Sequence, residues 1–258
     1  MKVVVAGGTG LIGTKVVDRL RMSGHDVVVA SRKTGVNLYT SEGLEGALDE
    51  AEAVVDVSNS PYADYEGALD FFETATLNLL TFGAAAGVRH HVVLSVVGTD
   101  RLARAGGRYF QAKAQQERLV TDSGIPFSIV HSTQFFEFAR AIADSATEAG
   151  VARVVDALVQ PIAADDVATA VVGAVLATPT MRTGEIAGPD QFRLGDLVSR
   201  QLLWSHDARE VAPDAQGDYF GAKLADHDLL PGLDAAVFRT HFTDWLAGLV
   251  PQPSGERG

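Results

Sequence analysis

The stretch Met1-Lys-Val-Val-Val-Ala-Gly-Gly-Thr-Gly-Leu-Ile-Gly13 decides the fold. Val3-Val4-Val5 is a β-branched run suited to a buried parallel strand. Four glycines follow within seven residues, Gly7, Gly8, Gly10 and Gly13, and satisfy both G-x-G-x-x-G and G-x-x-G-x-x-G. Leu11, Ile12, Val16, Val17 and Leu20 then recur at helical spacing. Strand, glycine turn and helix in this order predict a phosphate cradle. Glycine lets the backbone approach a pyrophosphate, and the new helix offers unpaired N–H groups and a positive dipole end. Gly7, Thr9, Gly10, Leu11 and Ile12 are therefore candidate cofactor contacts. A tight turn with no ligand is the alternative, but so many glycines weaken a helix start unless something must come close.

The second strand, Val27 to Ala30, carries the choice of dinucleotide. A site for NAD places a carboxylate after this strand to bond the ribose 2′-hydroxyl. Here the chain continues Ser31-Arg32-Lys33-Thr34, with no carboxylate. A guanidinium, an ammonium and two hydroxyls suit a 2′-phosphate, so NADP(H) is expected, with Ser31, Arg32 and Lys33 as contacts. A solvated basic loop is the alternative. Val36 to Leu38 is expected as a short strand with Asn37 beside the adenine. Ser41 is expected to cap a helix over Glu42 to Glu50. Ala53 to Val57 is the next strand, and the loop Ser58 to Pro61 at its end puts Ser58 by the cofactor or in a plain turn.

Further strands and helices alternate without a repeated unit. Helices are expected over Tyr65 to Ala86, Tyr109 to Thr121, Phe138 to Ala149, Asp165 to Ala177, Leu194 to Trp204 and Ala235 to Leu249. Strands are expected over Val92 to Val97, Phe127 to Val130 and Thr183 to Ala187, with Leu158 to Ile162 extended. His90 and His91 are expected at a strand boundary, and Arg101 to Arg108 as a flexible segment. This is an α/β, Rossmann-type doubly wound parallel sheet with a small C-terminal substrate lobe. Residues 1–190 form the dinucleotide-binding core, 191–250 the lobe, and 251–258 a disordered tail.

The 258 residues carry a formal charge of −12, which argues against a nucleic-acid partner. Cysteine is absent, which removes thiolate chemistry and suits a reducing cytoplasm. No apolar run approaches a membrane span and no leader pattern opens the chain, so a cytoplasmic protein acting on a small molecule is expected, as a monomer or homodimer.

Tyr109 and Lys113 stand four apart, on one face of a helix. Reducing a carbonyl with a hydride needs a proton donor beside the forming alkoxide. A free tyrosine ionises near pH 10, and a neighbouring ammonium lowers that value. Ser95, near the end of the preceding strand, can orient the carbonyl. Tyr-x-x-x-Lys is common, and by itself often an exposed aromatic beside a solvated lysine; its place downstream of a dinucleotide turn gives it meaning.

The motifs Gly7-Gly-Thr-Gly-Leu-Ile-Gly13, Leu94-Ser-Val-Val-Gly-Thr99, Tyr109-Phe-Gln-Ala-Lys113, Gly124-Ile-Pro126 and Gln160-Pro-Ile-Ala-Ala-Asp-Asp-Val-Ala168 resemble the short-chain dehydrogenase/reductase superfamily in its atypical NmrA-like branch. The resemblance spans most of residues 1–175. It implies a bound nicotinamide cofactor, Tyr109 as acid/base with Lys113 as its partner, and Ser95 or Thr99 as the third hydroxyl. The usual arginine after Ile-Pro is replaced by His131, which is a substrate contact, a second acid/base group or a structural histidine. Gln134, Phe135 and Phe136 are further candidates for the substrate wall. The expected activity is NADPH-dependent reduction of a ketone or quinone carbonyl in a small apolar or polycyclic molecule. The alternatives are an NADP(H)-sensing regulator without turnover, or an isomerase, dehydratase or epimerase.

Overall fold

The computed structural model describes residues 1–60, 65–214 and 216–249. Pro61, Ala215, Val250 and the expected tail 251–258 lie outside the described residues. In chain order the elements are β1 (Lys2–Ala6), α1 (Leu11–Met22), β2 (Asp26–Ala30), α2 (Leu44–Leu48), β3 (Ala53–Asp56), α3 (Tyr65–Ala86), β4 (His90–Val96), α4 (Thr99–Arg104), α5 (Arg108–Asp122) and β5 (Phe127–Ser132). They continue with α6 (Ala139–Ser145), β6 (Thr147–Glu148), β7 (Val151–Val155), β8 (Leu158–Val159), α7 (Ala164–Leu176), β9 (Thr183–Ala187), β10 (Phe192–Arg193), α8 (Leu194–Trp204), β11 (Glu210–Asp214), β12 (Ala236–Val237) and α9 (Phe242–Gly248).

Seven strands pair in the order β12-β9-β5-β4-β3-β1-β2, each neighbouring pair parallel. Val3, Val4 and Val5 are fully buried because helices cover both faces. Val4 and Val54 pack on the side of α2 and α3, through Leu48 and Leu79. Val3, Val5 and Val55 pack on the side of α1 and α7, through Val16, Leu20, Val167 and Val171. Asp165 bonds Lys15 at 2.8 Å and Arg19 at 2.9 Å, which ties α7 to α1. The chain leaves β1 toward β2 and returns past it to β3. The switch point, where such sheets bind ligands, thus lies between the carboxyl ends of β1 and β3.

A third apolar cluster lies beyond the sheet, built from Leu102 of α4, Phe136, Leu194 and Leu197 of α8, and Phe242 and Leu246 of α9. The ribbons β11-β7-β6 and β10-β8 flank it.

Several local expectations are corrected. Val36 to Leu38 is no strand, because the Asn37 side chain accepts from the Tyr39 and Thr40 N–H groups and bends the chain. Ser41 caps nothing: it has φ 61° and donates to the Thr40 carbonyl, while α2 starts later, behind Gly43. Arg101 to Arg108 is largely helical, since buried Leu102 anchors α4. The helix after Phe138 stops at Ser145, and the chain turns into β6 and β7. Of Ala235 to Leu249, only Phe242 to Gly248 is helical, and Ala236-Val237 pairs with β9 instead. His90 and His91, by contrast, stand at the strand boundary as expected: they are the first two residues of β4, both buried, on opposite faces.

Candidate active site

A single cavity of about 840 Å³ runs across the carboxyl ends of the strands, from the glycine turn to a group of aromatic rings. At its first end the glycines are sterically obligatory. A Cβ on Gly13 would stand 2.2 Å from the Gly7 carbonyl oxygen, and one on Gly7 would stand 2.7 Å from the Ser58 Cα. Gly7 also has φ 75°. The backbone of β1 and the loop after β3 therefore touch at the switch point. The N-cap of α1 is Gly10, with no side-chain cap and no acidic residue in the first turn, so its positive end stays open to an anion. Thr9, Leu11 and Ile12 line the cavity there.

Ser31, Arg32, Lys33 and Asn37 stand along the same wall, beyond β2. Ser31 and Thr34 form a reciprocal capping box that holds this turn. Among the described residues neither Arg32 nor Lys33 has an ion-pair partner, so two free cations face the cavity. Ser58 lines it too, with a buried hydroxyl that has no partner among the described residues. An open helix end, unpaired cations and an orphaned hydroxyl together fit a dinucleotide phosphate chain. The residues expected to meet a 2′-phosphate, Ser31, Arg32 and Lys33, all line this wall.

Farther along, α5 carries Tyr109, Lys113 and Glu117 on successive turns. The Tyr109 hydroxyl donates to Asn59 Oδ1 at 3.3 Å, and burial pushes its pKa up to about 12. Lys113 does not lower it. Its buried ammonium donates to the Leu94 carbonyl at 2.9 Å and to Gln116 Oε1, and sits 4.8 Å over the Phe72 ring. The Gln116 amide in turn donates to buried Asp56 at 2.8 Å. Burial lowers the Lys113 pKa to about 8, against the pull of Asp56 and Glu117. The expected help from the ammonium to the phenol is thus corrected in this arrangement.

Ser95 lines the cavity, but its hydroxyl donates to Glu117 and lies 3.4 Å from that of Thr99. Thr99 is fully buried, donates to the Val96 carbonyl, and does not reach the cavity wall. Nor does His131, whose Nε2 bonds Glu117 at 2.9 Å. Burial drives the Glu117 pKa up, but its hydrogen bonds from His131 and Ser95 outweigh that and leave it below the ordinary value. Thr99 and His131 as substrate contacts are therefore corrected: both serve this buried polar cluster. Phe136 is corrected likewise, since it is buried against Phe242 and Trp245, at 5.1 and 5.5 Å between ring centroids. Gln134 and Phe135 do line the cavity.

Among the lining residues that escaped the sequence reading are Tyr219 and Phe220. Phe220 sits 5.6 Å from the Tyr109 ring, and Tyr219 stacks 6.1 Å from Phe110. They occur in a polar stretch with no strand or helix period, and the aromatic pair before Gly221 was the only signal.

The profile of the NAD dependent epimerase/dehydratase family matches residues 3–121. A (4-alkanoyl-5-oxo-2,5-dihydrofuran-3-yl)methyl phosphate reductase of Streptomyces griseus is 30% identical over 203 residues, 73% of this chain and 68% of the relative. A dTDP-4-dehydrorhamnose reductase of Bacillus anthracis, solved with NADP, superposes with a TM-score of 0.67 at 14% identity, over 98% of this chain and 95% of the other. An NADPH-dependent quinone oxidoreductase of Escherichia coli, solved with NADPH, gives 0.62 at 20% identity, over 83% and 78%. These two likenesses concern the fold. Among the described residues no helix is long and apolar enough to cross a membrane.

Proposed function

Because the chain belongs to the NAD dependent epimerase/dehydratase family, within the short-chain dehydrogenase/reductase superfamily, we propose that it reduces a ketone or quinone carbonyl with NADPH. The observation that carries this is one continuous cavity, with an anion-binding glycine turn and two unpaired cations at one end and the Tyr109 phenol among aromatic rings at the other.

Gly7, Thr9, Gly10, Leu11 and Ile12 would cradle the pyrophosphate, and Ser31, Arg32 and Lys33 the 2′-phosphate, with Asn37 and Ser58 along the same wall. When bound, the nicotinamide supplies a hydride to the carbonyl carbon. Tyr109 gives its proton to the carbonyl oxygen and regains it from solvent, so each turnover consumes one NADPH and one proton. A phenol whose pKa is near 12 stays protonated through the neutral range, as a donor must. Lys113 is the family's usual partner for such a tyrosine. In this reading it would hold the nicotinamide ribose of the bound cofactor.

The substrate end favours an apolar, uncharged molecule. Among the described residues the cations that line the cavity are Arg32, Lys33 and Lys113, and the first two stand at the cofactor end. Aromatic walls without a free cation suit a ring system better than a nucleotide sugar or a phosphate ester. Residues 191–250 enter this half through Tyr219 and Phe220, in keeping with a substrate lobe. The family's own description also suits an epimerase or dehydratase, which would show no net NADPH consumption.

The test is NADPH oxidation with a panel of quinones and aryl ketones. Tyr109→Phe is expected to lower turnover on the order of 10²–10⁴-fold while NADPH still binds. Turnover that survives this substitution overturns the role of Tyr109.

A further inference from the structure

The geometry points to the Tyr219 phenol and the Gln134 side-chain amide, rather than Ser95, as the donors that hold the substrate's carbonyl oxygen. This rests on the carbonyl-reductase reading of the same cavity.

The usual hydroxyls are spoken for. Ser95 gives its one proton to Glu117, and Thr99 gives its own to the Val96 carbonyl. To serve a substrate, Ser95 would have to leave a largely buried carboxylate without that bond. A charge-assisted hydrogen bond in such a place is stronger than a neutral one, and breaking it leaves the carboxylate undersatisfied.

Gln134 presents the opposite case. It is 6% exposed and lines the cavity, yet among the described residues neither its Nε2 nor its Oε1 makes a direct hydrogen bond. A buried amide left unsatisfied bears its desolvation penalty uncompensated, which a ligand atom in the cavity would relieve. The Tyr219 side chain, which interacts with this amide, lines the same cavity. Its hydroxyl also senses the Tyr109 phenol, and burial pushes its pKa up, so it remains a neutral donor. The amide and both phenols thus converge on one end of the cavity.

Tyr219 is held there by a costly turn. Its N–H donates to the Ala222 carbonyl at 2.9 Å, and the Ala222 N–H donates back at 3.0 Å. Between them Phe220 has φ 51° and Gly221 φ 82°, the two left-handed residues of a type I′ hairpin. Glycine suits this conformation, whereas the phenylalanine Cβ crowds the backbone there. Strain of this kind persists where the surroundings impose it, and here the strained residue packs on Tyr109 at 5.6 Å. In the reaction Tyr219 makes and breaks no covalent bond. Its hydrogen bond strengthens as charge builds on the oxygen that Tyr109 protonates.

The experiment uses menadione and the whole protein, as wild type, Tyr219→Phe, Gln134→Leu and Ser95→Ala, with circular dichroism to confirm folding. Isotope-edited infrared spectra of menadione bound to the NADP⁺ complex report the hydrogen bonds to its carbonyls. Wild type is expected to shift a carbonyl stretch to lower frequency, and Tyr219→Phe and Gln134→Leu each to lose part of that shift. With NADPH, Tyr219→Phe is expected to lose on the order of 10²-fold in kcat with NADPH affinity held within about twofold. An unchanged stretch in Tyr219→Phe, an equal loss in Ser95→Ala, or no menadione binding to wild type overturns the inference. A wild type that binds menadione with the shift but consumes no NADPH sinks the reductase reading and leaves this one standing. Turnover equal in wild type and Tyr219→Phe sinks this one alone.

Discussion

Lys113 stands one helical turn from Tyr109, and its ammonium is held by the Leu94 carbonyl at 2.9 Å rather than by the phenol. The lysine is buried, and its pKa falls to about 8 from an ordinary 10.5. Below pH 8 both folded and unfolded chains carry the proton, and the folded chain bears the full penalty of a buried charge. Between about 8 and 10.5 the unfolded chain binds more protons, so this group's contribution to stability improves as pH rises. Thermal unfolding across that window should show wild type gaining relative to Lys113→Met. A constant difference between the two would refute the lowered pKa. If Lys113 serves as a cation, kcat/KM should fall on the alkaline side with a midpoint near pH 8, and Lys113→Met should lose that limb.

Glu117 titrates in the opposite sense. Its pKa lies below the ordinary value of 4.5, because bonds from His131 and Ser95 outweigh burial. Its contribution is present above the unfolded pKa and lost as pH falls through the folded one. Glu117→Gln should therefore be less stable than wild type at neutral pH, with the gap closing below about pH 4.5. Acid unfolding curves of the two proteins decide it, and a gap that widens in acid contradicts the assignment.

Gly13→Ala tests the glycine turn. Alanine favours a helix by about 1 kcal/mol over glycine, so propensity alone predicts stabilisation. The new methyl would stand 2.2 Å from the Gly7 oxygen and 2.6 Å from the Gly8 Cα. Backbone cannot yield that distance cheaply, and overpacking of this kind costs about 1–3 kcal/mol. A lower Tm together with weaker NADPH binding is expected, and a raised Tm would show that the turn has room.

Arg32→Ala tests the choice of cofactor. A charge-assisted bond to a 2′-phosphate is worth about 1.5–3 kcal/mol, or on the order of 10- to 100-fold in affinity. NADPH binding should weaken by that factor while NADH binding stays within about twofold. Equal wild-type affinities for the two would refute the assignment, and Lys33→Ala should show a smaller effect of the same kind.

Most of the sheet was legible because its strands are short β-branched runs, buried on both sides in Val3-Val4-Val5 and half-buried at the sheet edge in Val27-Val28-Val29. Tyr65–Ala86 and Leu194–Trp204 match their helices to the residue, because their apolar residues repeat at a helical period. Ala236-Val237 was illegible because its strand exists only through pairing with Ile186-Ala187, far away in sequence. Phe135 and Phe136 look alike in sequence, yet one lines the cavity and the other packs on Phe242, a distinction made by tertiary contacts. Tyr109-x-x-x-Lys113 gave the right helix and two residues that line the cavity. It could not foretell that the Leu94 carbonyl and Gln116, itself bonded to Asp56, would hold the lysine's ammonium.

The four-residue hairpin from Tyr219 to Ala222 closes on its own backbone. Its closure rests on those two backbone bonds and on Gly221, whose φ of 82° admits the turn, and it lies more than a hundred residues beyond the glycine turn. On the proposed reading, exchanging the two aromatic residues of this small cassette would change what the protein accepts while its grip on the dinucleotide stays as it was, an economical route by which relatives could diverge in substrate.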